Sequence, residues 1–208
     1  MRKGIAITIL TGMMFLAACN DPAADTTKAR TGEAAQVASP APASSQKYSI
    51  TPQNSKIEFV GSKVTGKHNG SFGDFSGQID HAGSPENGRV SITIKTDSIT
   101  TDTPDLTKHL KTADFFDVAK FPEATFVSTA IKPGGENGAT HTVTGNLTLH
   151  GVTKAITFPA TITVTPDAAT VESSFSINRK DFGINYAGAA DNLIRDDVVL
   201  TLHVRATK

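Results

Sequence analysis

VTGNLTLHGVTKAITFPATITV, residues 143–164, decides the fold. Val143, Leu147 and Leu149 share one parity before His150-Gly151, and Ile156, Phe158, Ile162 and Val164 share one parity after it, with Thr157, Thr161 and Thr163 between them. A period of two sends alternate side chains to opposite faces, so each half is a strand with one apolar and one wet side. His150-Gly151 is the turn that folds one half onto the other. Two such halves make an antiparallel hairpin.

The same alternation recurs outward from this hairpin: Val90, Ile92 and Ile94; Val171, Phe175 and Ile177; Val198, Leu200, Leu202 and Val204. Lys56 to Val64, Phe72 to Asp80 and Thr125 to Lys132 read as further strands. Turn signals separate them at Gly66 to Gly70, Gly83 to Gly88, Pro133 to Gly138 and Pro166-Asp167. About eight strands result, the number at which a closed sheet fills with side chains or holds one small ligand. The expected class is all-β, an eight-stranded antiparallel barrel, with a two-sheet sandwich as the other arrangement.

Composition agrees. The chain has 208 residues, 17 Gly and 10 Pro, 6% aromatic residues and no Trp, a balance that suits strands and turns. Its 20 basic and 20 acidic side chains cancel, so no net field favours nucleic acid. A single cysteine excludes an internal disulfide and a multi-cysteine metal centre.

That cysteine has a setting of its own. Arg2 and Lys3 precede an apolar run from Gly4 to Leu16, then Ala17, Ala18 and Cys19, the layout of a signal peptide too short to span a bilayer. Leu16-Ala17-Ala18-Cys19 is similar to the lipobox of bacterial lipoproteins, which implies a lipidated Cys19 at the mature N-terminus. Residues 1–18 are therefore expected to be a signal peptide. Residues 19–46, rich in Ala, Ser, Thr and Pro, are expected to be a disordered tether reaching about 30 Å from the membrane. Residues 47–208 form the folded domain. The chain is expected in the bacterial cell envelope, lipid-anchored to a membrane and facing the periplasm.

One stretch breaks the strand period. Thr103 can cap, Pro104 suits a first helical turn, Asp105 suits the positive helix end, and Leu106, Leu110 and Ala113 share a face. This predicts one short amphipathic helix running into Phe115, Phe116 and Phe121, three rings placed to plug the core or line the mouth of a cavity.

Several motifs in this order carry a resemblance: Leu110 to Asp117 (LKTADFFD), Phe121-Pro122, Ala124-Thr125-Phe126, and Gly145 to Lys154 (GNLTLHGVTK). Gly70-Ser71-Phe72 with Phe75, Asp97-Ser98-Ile99, and Arg179 with Asp181-Phe182-Gly183-Ile184 fit the same pattern. From Lys47 to Lys208 the chain resembles the YceI-like family of lipocalin-like proteins, known as binders of polyisoprenoids. The resemblance implies a lipocalin-like barrel with an elongated apolar pocket for an isoprenoid quinone or another long-chain amphiphile. It implies no enzyme activity, and no cofactor beyond such a bound lipid. Many members carry a histidine in the first strand, where this chain reads Phe59-Val60-Gly61-Ser62-Lys63-Val64, so its head-group preference can differ.

Other chemistry is poorly served. Gly61 to Lys67 has phosphate-loop spacing, but His68 stands where a Ser or Thr should hold magnesium. His68, His81, His109, His141, His150 and His203 show no zinc-ligand spacing and read as surface or turn residues. Asp114 and Asp117 read as solvated carboxylates at a helix end, and Asp191, Asp196 and Asp197 as loop charge without calcium-loop spacing. No Gly-x-Ser-x-Gly is present.

Strand parity and proximity to the helix select Phe59, Ile92, Ile94, Leu110, Phe115, Phe126, Leu147, Leu149, Phe158 and Phe175 as candidate ligand-binding residues. Lining and solid core look alike in sequence. The leading expectation is a membrane-anchored carrier or store of a lipophilic molecule. The alternative is a solid barrel that docks an envelope partner during stress, and a second copy of the chain is a further candidate partner.

Overall fold

The computed structural model describes residues 21–36, 45–190 and 192–208. Cys19 and the signal-peptide reading of residues 1–18 lie outside the described residues, as does Asp191. A short strand, β1 (Arg30–Glu33), precedes eight staves that follow chain order around a closed antiparallel barrel. Three staves are interrupted strands: β2 (Gln46–Ile50) with β3 (Lys56–Lys63), β4 (Gly66–Phe72) with β5 (Phe75–Ala82), and β6 (Ser84–Lys95) with β7 (Ile99–Thr101). Five are single strands: β8 (Glu123–Pro133), β9 (His141–Leu149), β10 (Val152–Val164), β11 (Ala168–Asn178) and β14 (Asp197–Thr207). β14 closes the ring by pairing with β3 from Val199↔Val60 to His203↔Lys56, and with β2 at Thr207↔Ser49. Closure removes the exposed edges that an open sheet would present.

The alternation in residues 143–164 sets the β9–β10 hairpin, with nine partners from Val152↔Leu149 to Ala160↔His141. His150 takes φ 50° and Gly151 φ 75° in its turn. Some expected turns are strand instead. Gly66 to Gly70 lies in β4, because the β3–β4 hairpin turns at Val64 and Thr65. Most of Gly83 to Gly88 lies in β6. Phe72 to Asp80 is not one strand but is broken at Gly73 and Asp74.

At one end of the barrel, here the helix end, lie the β3–β4 turn, the helix α1 (Pro104–Leu110) and its following loop, and the β11–β14 connection. That connection contains the ribbon of β12 (Gly188–Ala189) and β13 (Asn192–Leu193). Thr103 occupies the N-cap position of α1, but its hydroxyl makes no capping bond and donates to Asp102 Oδ1 at 3.2 Å. Leu106 and Leu110 pack on the core while Ala113, beyond the helix end, is exposed, so the expected apolar face is one residue shorter.

The tether expectation does not hold for residues 21–36. β10 and β11 pair only between Thr161–Val164 and Glu172–Ala169, leaving a split in the wall towards the helix end. β1 fills it, pairing with β10 from Arg30↔Thr157 to Glu33↔Lys154. On the other side, Ala29 N donates to Ser176 O (2.8 Å) and Ser176 N to Thr27 O (2.9 Å). Composition misses this strand because it is held by backbone bonds. Only Ala29, 4% exposed, contributes side-chain burial to the core.

Candidate ligand-binding cavity

The inward faces of the staves enclose a cavity of about 230 Å³. All ten residues selected from sequence line it: Phe59, Ile92, Ile94, Leu110, Phe115, Phe126, Leu147, Leu149, Phe158 and Phe175. Val90, Ile131, Val143, Ile156, Leu200 and Leu202 share the wall, so the enclosure is overwhelmingly aliphatic and aromatic.

Space survives because large rings fold back against the wall. The Phe59 ring occupies the place a side chain at Gly70 would take, and the Phe126 ring does the same over Gly145. Phe158 and Phe175 stack with centroids 4.1 Å apart and planes 13° apart, so two more rings lie together. Away from the helix end, Tyr48, Ile50, Ala169, Val204 and Ala206 are packed solid. Tyr48 is wholly buried and its hydroxyl contacts Gln46 Oε1 (2.8 Å) and Thr165 O (3.1 Å), which satisfies its one polar atom.

The helix end differs in chemistry. Lys63, His68 and Arg179 join the lining there, although the surface turned to the cavity stays almost wholly apolar. Arg179 is 5% exposed, and burial pulls its guanidinium below its ordinary value while Asp196 pushes it back up. It stays charged, because arginine titrates far above any relevant pH. Its donors are committed to backbone: Nη1 to Ile184 O (2.7 Å), Nε to Arg195 O (3.1 Å) and Nη2 to Ile194 O (3.4 Å), with Asp196 Oδ1 at 3.3 Å. The side chain thus pins the β11–β14 connection over the cavity. Asn178 opens this turn by accepting from Lys180 N at 2.9 Å, and Gly183 at φ 76° ends it.

His68 lies in β4 at the lining, not in a turn as expected, and its Nδ1 is 2.8 Å from Asp102 Oδ1. The Asn69 amide (2.9 Å to Oδ2) and then His68 hold the Asp102 carboxyl below the usual carboxylate range. Phe115, His109 and Tyr186 form an aromatic knot, with centroid separations of 5.0, 5.1 and 5.2 Å, that ties the helix to the β11–β14 connection.

The remaining candidates take plain roles. Asp114 Oδ2 sits 2.8 Å from His109 Nε2. Asp196 serves Arg179 and Lys180, and Asp197 serves Lys28. Sequence reasoning did not single out Lys63, His68 or Arg179 as cavity residues. Arg179 stood in a quoted motif, but only the fold shows that its fork points at three carbonyls.

The YceI-like domain profile matches residues 48–206, three quarters of the chain. The chain belongs to the YceI-like family. Among the relatives of this YceI-like chain is a UPF0312 protein of Pseudomonas putida (strain W619), 40% identical over 136 residues that make up 62% of this chain and 70% of the relative. A UPF0312 protein of Pseudomonas fluorescens (strain SBW25) is 38% identical over 138 residues, 63% and 71% of the two chains. Burkholderia cenocepacia BcnA superposes with a TM-score of 0.65 at 26% identity, covering 76% of this chain and 99% of BcnA. A polyisoprenoid binding domain from Saccharophagus degradans, implicated in plant cell wall breakdown, shares the fold with a TM-score of 0.60 at 19% identity, over 77% and 97% of the chains.

Proposed function

We propose that this protein binds a polyisoprenoid or a similar long-chain amphiphile, with the apolar tail inside the barrel and the polar end at Lys63 and His68. The observation that carries this reading is the enclosed, almost wholly apolar cavity. An apolar cavity of this size does not hold water well, because water needs two to four polar partners. Left empty, it forgoes packing contacts along its apolar wall. A prenyl tail recovers that packing, at about 0.8 kcal/mol for each methylene buried. Family membership and the fold shared with a polyisoprenoid binding domain support the same class of ligand.

Cys19 in its lipobox supports a lipidated protein of the bacterial envelope, held at a membrane and carrying or storing its ligand there. The test is titration of the delipidated protein with ubiquinone and with a prenol, alongside Leu147→Trp, which fills the lining. Saturable binding that the substitution weakens at least tenfold, with the fold intact by circular dichroism, is expected. No uptake of either lipid by the folded protein contradicts the reading and favours a docking module.

A further inference from the structure

Three large apolar side chains stand out in water among the described residues: Val64 at 51% exposure, Leu193 at 48% and Tyr186 at 38%. All three belong to the helix end. Val64 sits in the β3–β4 turn, its amide donating to Leu193 O at 3.1 Å, and Tyr186 leads into the ribbon that contains Leu193. They are not exposed for want of order. Arg179 fixes the carbonyls of Ile184, Ile194 and Arg195 on either side of Tyr186 and Leu193, and Arg195 N donates at 2.9 Å to Ser62 O, two residues before Val64. Val64 and Leu193 are joined at one pole of the molecule, with Tyr186 packed on His109 and Phe115 at the same end, and exposed apolar groups gathered in this way mark a contact surface.

The chain's own N-terminal side names what covers it. Arg195, two residues after Leu193, donates from Nη1 to Asp21 Oδ2 at 2.9 Å. Asp21 is two residues from Cys19 in the sequence, and two residues of chain span at most about 7 Å. Acyl chains on Cys19 would therefore enter a bilayer beside Val64 and Leu193. Tyr186 suits that depth, because an aromatic ring with a hydroxyl settles at the membrane interface.

We propose that the helix end docks on the lipid bilayer through Val64, Leu193 and Tyr186. This rests on the reading of Cys19 as lipidated. A surface depression lined by Val64 and Leu193 among charged residues such as Asp21, Lys180 and Arg195 shares Arg179 and Ile194 with the wall of the internal cavity. Docking by this end therefore sets the cavity against the membrane from which an amphiphile is drawn. The chain needs no long excursion between anchor and barrel, because residues 21–36 lie on the barrel itself.

The test uses the full mature chain in vesicles of phosphatidylethanolamine and phosphatidylglycerol. Once acylation blocks Cys19, an introduced thiol is unique, and an environment-sensitive fluorophore is attached at Leu193→Cys, at Val64→Cys, or at Glu136→Cys in the β8–β9 loop of the opposite end. Spin-labelled lipid is expected to quench the label at 193 and at 64 several-fold more than the label at 136. Equal quenching at the three sites, on a chain whose mass shows acylated Cys19, overturns the docking orientation while leaving the anchor in place. An unmodified Cys19 by mass overturns the anchoring reading and removes the ground for this orientation.

Discussion

Phe59 folds over Gly70, its direct partner across the β3–β4 ladder, so closely that a Cβ on Gly70 would stand 2.2 Å from the ring's Cζ. Phe126 lies over Gly145 in the same way, at 2.3 Å, although its direct partner on β9 is Leu147. Glycine at these two places lets each ring lie on the wall and keeps the barrel axis open.

Gly70→Ala and Gly145→Ala should therefore each swing a ring inward. Overpacking of this kind costs about 1–3 kcal/mol. Urea unfolding reports the loss, and lipid uptake should fall with it. An alanine at either position that leaves both stability and uptake unchanged would show that the rings can yield without entering the cavity.

Arg179→Lys keeps the charge but loses the planar fork that reaches three carbonyls. Leaving a buried carbonyl such as that of Ile184 without a donor costs about 1–3 kcal/mol, and the part-buried carbonyls of Ile194 and Arg195 cost less. Stability should drop accordingly, and amide exchange should quicken across residues 184–196 before it does in β9. Uniformly unchanged exchange would mean that the connection holds without the fork.

Ala29→Pro removes the amide that donates to Ser176 O. Without it β1 should detach, and the alternate amides of residues 154–157 in β10 that face β1 should lose protection while those facing β9 keep theirs. Retained protection at 154–157 would show that the split between β10 and β11 closes by itself.

Asp102 gives a pH signature. Its folded pKa is lowered, by the Asn69 amide first and by His68 next. A carboxylate of this kind contributes stability that is present above the unfolded value, about 3.9, and is lost as pH falls through the lower folded value. The carboxyl carbon of Asp102 should titrate below about 3.9 by NMR, and Asp102→Asn should flatten this part of the acid limb. A midpoint at or above that value would contradict the contacts described.

Much of the barrel is legible in the sequence because its staves bury one face and wet the other, so side-chain period and backbone structure coincide. Val143 to Val164 shows this most clearly; eight of the ten selected residues follow from parity on such strands, and Leu110 and Phe115 from their place in and beside the helix. Where backbone bonds and an exposed ion pair hold an element, the apolar pattern is silent. β1 has the sequence Arg30-Thr31-Gly32-Glu33, with no apolar alternation, yet it completes the wall. His68 reads as a surface or turn residue because polarity does not say which side of a strand end faces a cavity. Nor does charge reveal that Arg179 spends its donors on carbonyls more than a dozen residues away, at Ile194 and Arg195.

The most direct test of the central claim is native mass spectrometry of the full chain, extracted from a bacterial envelope in polymer nanodiscs without detergent, followed by solvent extraction of what it carries. One prenyl-type lipid per chain, lost from Leu147→Trp, is the predicted result. A chain that arrives empty, and stays empty after incubation with ubiquinone and prenol, would contradict the account.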